Sequence, residues 1–179
     1  MKKILKLGIL GGGPGSWIGN IHRIASRIDG KYIICAGSFS RNAKISNTFG
    51  ASLNLDKNRC YSNYKTMADT EFKRNDGIDV VAIMTPPGSH QEIAEYFIKK
   101  NFHVISDKPF ASTYSQAKKL YSTIKKNKKI IYGLTHNYSA YPMVRMAKKL
   151  VRDGKIGDIE FINVEYVQDW SKGIIVNKK

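Results

Sequence analysis

The sequence predicts an α/β protein built on a doubly wound parallel sheet. Strand and helix patterns alternate along most of the 179 residues, and a glycine cluster separates the first strand from the first helix. The segment DVVAIMT (79–85) is apolar without alternation, which is typical of a central parallel strand covered on both faces. Helices that connect parallel strands make right-handed crossovers, so helices on both faces of an open sheet are expected.

Strand and helix patterns alternate in the first half of the chain. An apolar strand precedes the glycines, a helix follows them, and the segment YIICAGS is predicted as the second strand. A short helix, a polar loop and a further helix lead to the apolar strand at 79–85. The predicted elements are a strand at 4–10, a helix at 18–28, a strand at 32–38, a helix at 41–49, a loop at 53–63 and a helix at 63–74.

Helix-start signals mark two predicted helices in the second half of the chain. Ser89 and Glu92 have the spacing of a capping box, and Thr113 and Gln116 have the same spacing before the next helix. The first of these helices has an apolar face of Ile93, Ala94, Phe97 and Ile98, and the second a face of Ala117, Leu120, Tyr121 and Ile124. The segments HVIS (103–106) and IIYGLTH (130–136) are predicted as strands.

The last part of the chain predicts one more helix and one long strand. The segment YPMVRMAKKLVRDGKIG places Met143, Val144, Ala147, Leu150 and Val151 on one helix face, and DIEFINVEYVQDW (158–170) is predicted as a strand. We expect one α/β domain over 1–135, a further helix and strand over 136–170, and a tail at 171–179.

Composition narrows the function classes. The net charge of +16 permits polyanion binding as an alternative, but the lysine pairs are dispersed near predicted helix ends, where cations complement the helix dipole. We therefore expect no nucleic-acid partner. No apolar run reaches the ~20 residues of a membrane helix, and the two cysteines show no metal-binding spacing. A cytoplasmic protein without a metal site or membrane partner is expected.

The glycine-rich stretch GILGGGPGSWIG (8–19) predicts a phosphate site. A helix N-terminus offers free N–H groups and a positive dipole end, and glycines let a pyrophosphate approach the backbone. Gly11, Gly13 and Gly15 are the candidates. A tight turn that merely needs glycine is the alternative, because a lone G-x-G is a weak signal. The loop is also three residues longer than the dinucleotide fingerprint, so the spacing does not identify which N–H groups bind phosphate.

Five segments together resemble the glucose-fructose oxidoreductase and inositol dehydrogenase family of NAD(P)-dependent sugar and cyclitol oxidoreductases. They are the Ile18-Gly19-Asn20-Ile21-His22 run, DVVAIMTPPGSH, ISDKP, LTHNYSAYP and VRDGKIGDIEFINVEYVQDW. The resemblance spans nearly the whole chain up to Trp170 and implies a Rossmann-like fold. It also implies hydride transfer between a nicotinamide and a sugar or cyclitol hydroxyl.

The resemblance assigns the catalytic role to Lys108, within Asp107-Lys108-Pro109 at a strand end. Ligands of open α/β sheets bind at that edge. A lysine beside an oxidised, cationic nicotinamide loses its proton more readily, and it could then help remove the substrate hydroxyl proton.

Other positions follow from the same resemblance. Ile18, Thr85, Pro86 and His90 would lie along the cofactor, Asp107 would accept from the nicotinamide ribose, and Asn137 belongs to the segment at the next strand end. A histidine near a helix start is also commonly a local hydrogen-bonding residue, so His90 has that second interpretation.

The end of the second strand predicts cofactor choice. An acidic residue there would hold a ribose 2′-hydroxyl, whereas small hydroxyl residues with an arginine suit a 2′-phosphate. The run from Ser38 to Arg41 contains no acid. This pattern slightly favours NADP over NAD, although Arg41 could be an ordinary first-turn helix residue.

The resemblance implies a nucleotide-binding Rossmann domain over 1–135 and, over 136–170, the beginning of a truncated α+β substrate domain that continues further in the family. We therefore expect an oxidoreductase fragment with little activity alone, completed by a carboxyl-terminal fragment or a homo-oligomer. A noncatalytic dinucleotide-binding module or a decayed gene product is the alternative.

Overall fold

A computed structural model describes residues 4–167. The strands are β1 (Leu5–Gly11), β2 (Tyr32–Ser38), β3 (Val80–Met84), β4 (His103–Asp107) and β5 (Tyr132–Thr135). The helices are α1 (Trp17–Ala25), α2 (Ala43–Ser52), α3 (Tyr64–Lys73), α4 (His90–Ile98), α5 (Tyr114–Lys126) and α6 (Pro142–Arg152). Short 3₁₀ turns lie at Lys57–Arg59, Pro87–Ser89 and Asn137–Ala140. A first compact unit ends at His136 and a second begins at Asn137.

The five strands form one parallel sheet in the order β2-β1-β3-β4-β5. The chain passes outward from β1 to β2 and then returns across β1 to β3. The crossover direction therefore reverses between β1 and β3, and ligands of such sheets bind at the carboxyl ends of the strands beside that reversal. The predicted α/β, Rossmann-like class is confirmed.

Helices cover both faces of this sheet. On one face Ile9 and Ala82 belong to a core against which Ile18 of α1 and Phe49 of α2 pack. On the other face a larger core contains Val81, Ile83 and Val104 together with buried side chains of α3, α4 and α5. All five residues of β3 are buried, as the unbroken apolar run predicts.

One of the two predicted capping boxes is present. Thr113 accepts from the backbone N–H of Gln116, and the Gln116 side chain accepts from the N–H of Thr113. The box predicted at Ser89 is wrong. Ser89 already has helical backbone angles after the 3₁₀ turn, and its hydroxyl donates to Pro86 O at 2.7 Å. Glu92 instead accepts from the Tyr64 hydroxyl.

Two apolar faces are less buried than predicted. On α5 Leu120 is fully buried, but Tyr121 is 56% exposed and lies beside Lys125. In the second unit all five apolar residues predicted to point inward on α6 are exposed.

The long strand predicted at 158–170 is wrong for the part that the structure describes. Residues 159–167 have no regular secondary structure, because no neighbouring segment within residues 4–167 pairs with them. A strand needs a partner for its N–H and C=O groups. Residues 168–170 and the predicted tail lie outside the described part.

No helix within residues 4–167 is long and apolar enough to span a membrane. No cluster of three His, Cys, Asp or Glu side chains in the same range could hold a metal ion.

Candidate nucleotide-binding site

A cavity of about 550 Å³ lies at the carboxyl ends of β1, β2 and β3 in the first unit. Five residues predicted for cofactor binding line it, namely Gly11, Ser38, Arg41, Thr85 and Pro86. Its other lining residues are Leu10, Gly12, Phe39, Ser40, Ser62, Asn63, Tyr64, Met84, Ser89 and Ile93. The cavity occupies the place beside the topological reversal where open α/β sheets bind ligands.

The glycines beside this cavity let three backbones approach one another. A Cβ on Gly11 would lie 2.6 Å from Met84 O, and one on Gly13 would lie 2.4 Å from Phe39 O. Gly11 also has a φ of +80°, which favours glycine. These two glycines therefore keep the loop against β2 and β3. Gly15, with a φ of +73°, has open space around its missing Cβ.

The same loop presents unused donors. The backbone N–H groups of Gly12, Gly13, Gly15, Trp17 and Ile18 have no hydrogen-bond partner among residues 4–167. Ser16 caps α1 by accepting from the N–H of Gly19 at 3.1 Å. Partnerless N–H groups at a helix N-terminus, combined with the positive end of the helix dipole, favour an anion.

The side chains of the loop do not block an anion from reaching these N–H groups. Trp17 is 76% exposed, so its indole is not buried in the site. The Ile18 side chain packs into the core with Leu7 and Ile9, and its backbone N–H has no hydrogen-bond partner among residues 4–167.

Asp107, at the end of β4, lies next to the helix that follows the glycines. Its Oδ1 accepts from the Thr135 hydroxyl at 2.8 Å and lies 4.0 Å from Nε2 of His22 on α1. Burial lowers the pKa of His22, and the negative charge of Asp107 opposes that shift. The glycine-loop helix and the segment that carries Lys108 therefore meet at one edge of the sheet.

Lys108 follows Asp107 and is exposed. Its ammonium group makes no hydrogen bond or ion pair with other residues of the described range, and the peptide bond to Pro109 is cis. The side chain is thus available to a ligand at the edge where β1, β3 and β4 end.

His90 is 1% exposed at the start of α4. Its Nε2 lies 2.7 Å from Thr85 O and its Nδ1 lies 3.0 Å from Pro109 O. Both ring nitrogens thus contact backbone carbonyls that follow β3 and β4. This geometry supports the local hydrogen-bonding interpretation of His90, and direct contact with a cofactor stays a prediction.

Asn137 belongs to the second unit. Its side-chain amide donates to the Tyr141 hydroxyl at 3.4 Å, and it is exposed. Its assignment to the cofactor stays a prediction.

Three cavity residues that the sequence analysis missed lie where the loop before α3 joins the first residue of that helix. Ser62, Asn63 and Tyr64 reach the cavity because this loop runs beside the end of β2, where the N–H of Tyr61 donates to Gly37 O at 2.7 Å. Asn63 also caps α3 through its side chain. Burial raises the pKa of the Tyr64 phenol, and its hydrogen bond to Glu92 adds to this. A polar loop about 25 residues after a strand has no sequence pattern that predicts its contact with a cavity at the end of that strand.

A buried ion pair holds that loop in place. Arg59 is 6% exposed, and its Nε donates to Glu71 Oε1 at 3.1 Å. The Glu71 carboxylate, 1% exposed, also accepts from the Tyr61 hydroxyl at 2.9 Å and from the N–H of Ile78 at 3.2 Å. Burial raises the pKa of Tyr61, and its bond to Glu71 raises it further.

Several known proteins have sequences similar to that of this chain. The family model "Oxidoreductase family, NAD-binding Rossmann fold" matches residues 6–136. The uncharacterized oxidoreductase YfiI of Bacillus subtilis is 36% identical over 167 residues, which are 93% of this chain and 42% of that protein. Levoglucosan dehydrogenase of Pseudarthrobacter phenanthrenivorans is 39% identical over 94 residues, covering 52% of this chain and 24% of that protein.

Solved structures agree with these relatives. An oxidoreductase from Sinorhizobium meliloti superposes with a TM-score of 0.81 at 43% identity, covering 87% of this chain and 43% of that one. An inositol dehydrogenase homolog from Azotobacter vinelandii, complexed with NADH and myo-inositol, gives 0.85 at 31% identity, with coverages of 89% and 42%. This chain spans less than half the length of these relatives. It belongs to the Gfo/Idh/MocA oxidoreductase family and contains that family's NAD-binding Rossmann domain.

Proposed function

We propose that the first unit binds a nicotinamide dinucleotide through residues 11–18 and the adjoining cavity. We further propose that it serves an oxidoreductase acting on a sugar or cyclitol hydroxyl. The observation that carries the first proposal is the set of five N–H groups without a partner, beside a cavity at the reversal of the sheet.

The cavity suits the two chemical parts of an adenosine. Leu10, Phe39 and Met84 offer apolar walls for a planar base, whereas Ser38 and Arg41 offer polar groups at the end of β2. The pyrophosphate would reach the N–H groups of Gly12 and Gly13 at the edge of the same cavity. No side chain would have to move to let the pyrophosphate reach these N–H groups, because Gly12 has no side chain and Trp17 points to solvent.

Lys108 and Asp107 would serve the reacting end. A bound nicotinamide supplies the hydride acceptor or donor. Lys108 would hydrogen-bond the substrate hydroxyl and take or return its proton at Nζ. Asp107 keeps one carboxylate oxygen, Oδ2, without a hydrogen bond among residues 4–167. This oxygen can accept from a ribose hydroxyl while Oδ1 stays bound to Thr135.

The lining of the cavity supports a slight preference for NADP. None of its fifteen lining residues is acidic, so no carboxylate would repel a 2′-phosphate or hold a 2′-hydroxyl. Ser38, Ser40 and Arg41 lie together at the end of β2. The Azotobacter vinelandii homolog was solved with NADH and with NAD⁺, so NAD is the competing cofactor.

Titration of the chain with NADH and with NADPH tests binding. The exposed indole of Trp17 adjoins the N–H groups of the loop, so energy transfer from tryptophan to the reduced nicotinamide is the expected signal. The W17F variant should lose most of this signal while retaining its affinity in calorimetry. An absence of saturable binding to either dinucleotide would contradict the proposal. A salt-sensitive affinity for nucleic acid would then support the polyanion alternative.

A screen of sugars and inositols tests turnover. The chain alone should turn over little, and mixing it with the carboxyl-terminal remainder of the Bacillus subtilis relative should raise the rate. Tight dinucleotide binding without turnover in either case would favour a noncatalytic dinucleotide-binding module.

A further inference from the structure

One arginine is bonded to the backbone of the glycine loop. Arg23 lies on α1, and its Nη1 donates to Gly12 O at 2.7 Å. Its guanidinium also lies 5.1 Å from the centre of the Phe49 ring of α2. The side chain is half-buried. Arg23 is therefore held between the aromatic ring and the loop, and its hydrogen bond is charge-assisted.

This bond fixes the direction of one peptide group. The Gly12 carbonyl points at α1, because a Cβ on Gly19 would lie only 2.3 Å from Gly12 O. In a trans peptide the following N–H points the opposite way. The N–H of Gly13 is therefore directed away from the helix, and it has no partner among residues 4–167.

The peptide between Gly12 and Gly13 has little intrinsic reason to keep this direction. Both residues lack a Cβ, and Gly12 has a φ of +62°, a region that glycine enters and leaves at low cost. Nearby restraints are the bond from the N–H of Ser16 to Gly13 O at 3.1 Å and the close packing of the Gly19 and Phe39 backbones against Gly12 and Gly13. Arg23 adds a side-chain restraint on the Gly12 carbonyl.

We propose that Arg23 is a positioning residue for pyrophosphate binding. By holding the Gly12 carbonyl towards α1 it turns the Gly13 N–H to the side where the phosphate arrives, and it places a positive charge behind the loop. The inference rests on the proposed dinucleotide site and adds a residue that does not line the cavity. The ligand class concerned is any dinucleotide or nucleoside diphosphate sugar whose phosphates reach residues 12–18.

The test compares four proteins: the wild type, R23M, R23K and R27M. Arg27 lies one turn further along the chain, is exposed, and has no side-chain hydrogen bond or ion pair within the described range, so R27M removes the same charge without touching the loop. The ligands are NADH, ADP-ribose and adenosine, the last without phosphate. Affinities come from calorimetry, and adenosine binding from amide shifts of ¹⁵N-labelled protein.

R23M should weaken NADH and ADP-ribose about tenfold or more, as expected for losing a charged donor. Adenosine binding should not change, because it has no phosphate. R23K keeps a cationic donor and should restore most of the affinity, and R27M should stay within about twofold of the wild type. The free R23M protein should show a displaced Gly13 amide resonance, which R27M should not.

The outcomes separate the two proposals. If the wild type binds neither NADH nor ADP-ribose, the proposed dinucleotide site fails. If the wild type binds both and R23M binds them equally well, only the role of Arg23 fails. An equal loss of adenosine and NADH in R23M would reduce Arg23 to a structural residue. If R23M does not fold, R23K decides: an affinity for NADH and ADP-ribose about tenfold or more below that of the wild type overturns the proposal.

Discussion

The backbones of Gly12 and Gly19 touch where α1 leaves the sheet: a Cβ on Gly19 would lie 2.3 Å from Gly12 O and 2.6 Å from Gly12 Cα. The contact brings the first turn of α1 against the glycine loop. It therefore sets how closely the helix N-terminus approaches whatever binds residues 12–18.

Substituting Gly19→Ala should destabilise the chain and weaken dinucleotide binding together. The added methyl group meets backbone atoms, which cannot rotate away, so a loss of about 1–3 kcal/mol in the free energy of unfolding is expected. Urea denaturation measures the first effect and calorimetry with NADH the second. Gly88→Ala is the matched control, because nothing lies within 4 Å of its missing Cβ. A Gly19→Ala protein as stable as Gly88→Ala would show that the contact is unimportant.

Substituting Glu71→Ala should destabilise the first unit severely. The change removes the buried partner of the Arg59 guanidinium, which then keeps the exposed Asp76 carboxylate at 3.5 Å, and it removes acceptors from Tyr61 and Ile78. Breaking a buried pair in this way costs about 3–5 kcal/mol. Asp29→Ala breaks the exposed pair with Lys31 and should leave the denaturation midpoint unchanged. Equal midpoints for the two variants would contradict the structural role of Glu71.

Acidification should unfold the chain partly through His22. Its pKa lies below the ordinary 6.5 because of burial, so the unfolded chain binds this proton more readily than the folded one. Stability that is present above about pH 6.5 is then lost as the pH falls through the lowered value. The wild type should therefore lose more stability between pH 7 and pH 5 than His22→Asn.

The carboxylate of Asp107 supplies the opposing test of this pH dependence. Its charge raises the pKa of His22 against the effect of burial. Asp107→Asn should therefore lower the His22 pKa further and steepen the loss of stability on acidification. A pH profile that is the same in all three proteins would show that His22 does not contribute. Urea midpoints at four or five pH values are sufficient to compare them.

Arg41 should decide between the two cofactors. Arg41→Ala should weaken NADPH about tenfold, because it removes the cation that we propose pairs with the 2′-phosphate, and should leave NADH within about twofold. The structure places Arg41 at the cavity end of β2 together with Ser38 and Ser40. Equal dissociation constants of the wild type for NADPH and NADH would remove the support for an NADP preference.

Local sequence signals predicted the sheet and most helices well. The unbroken apolar run of β3, the capping box at Thr113 and the glycine break after β1 each reflect nearby residues, so they can be recognised without knowledge of the fold. The box at Ser89 failed for a reason that is not local. The 3₁₀ turn after Pro86 makes Ser89 helical, and Tyr64 of a distant helix takes the Glu92 carboxylate.

The candidate site was only partly predictable. Gly11, Ser38, Arg41, Thr85 and Pro86 line the cavity because strand ends in a parallel sheet converge at one edge, and their contact with a cofactor stays a prediction. Ser62, Asn63 and Tyr64 line the cavity because their loop is held in place by the buried pair of Arg59 and Glu71. Arg23 looks like any surface arginine in the sequence, and its role becomes visible only through its bond to Gly12 O.

The strand predicted at 158–170 shows that a sequence pattern alone does not predict whether a strand forms. Its apolar residues, such as Phe161 and Val164, are 83% exposed. An alternating pattern indicates what a segment can form, whereas a strand forms only where another segment supplies hydrogen bonds.

The claim on which the account depends is that a pyrophosphate binds the N–H groups of residues 12–18. Its most direct measurement is an amide chemical-shift titration of the ¹⁵N-labelled chain with NADH and NADPH. The amides of Gly12, Gly13, Gly15, Trp17 and Ile18 should shift in saturable fashion, while those of α5 on the opposite face of the sheet stay in place. Saturable binding that leaves these five amides unmoved would contradict the account.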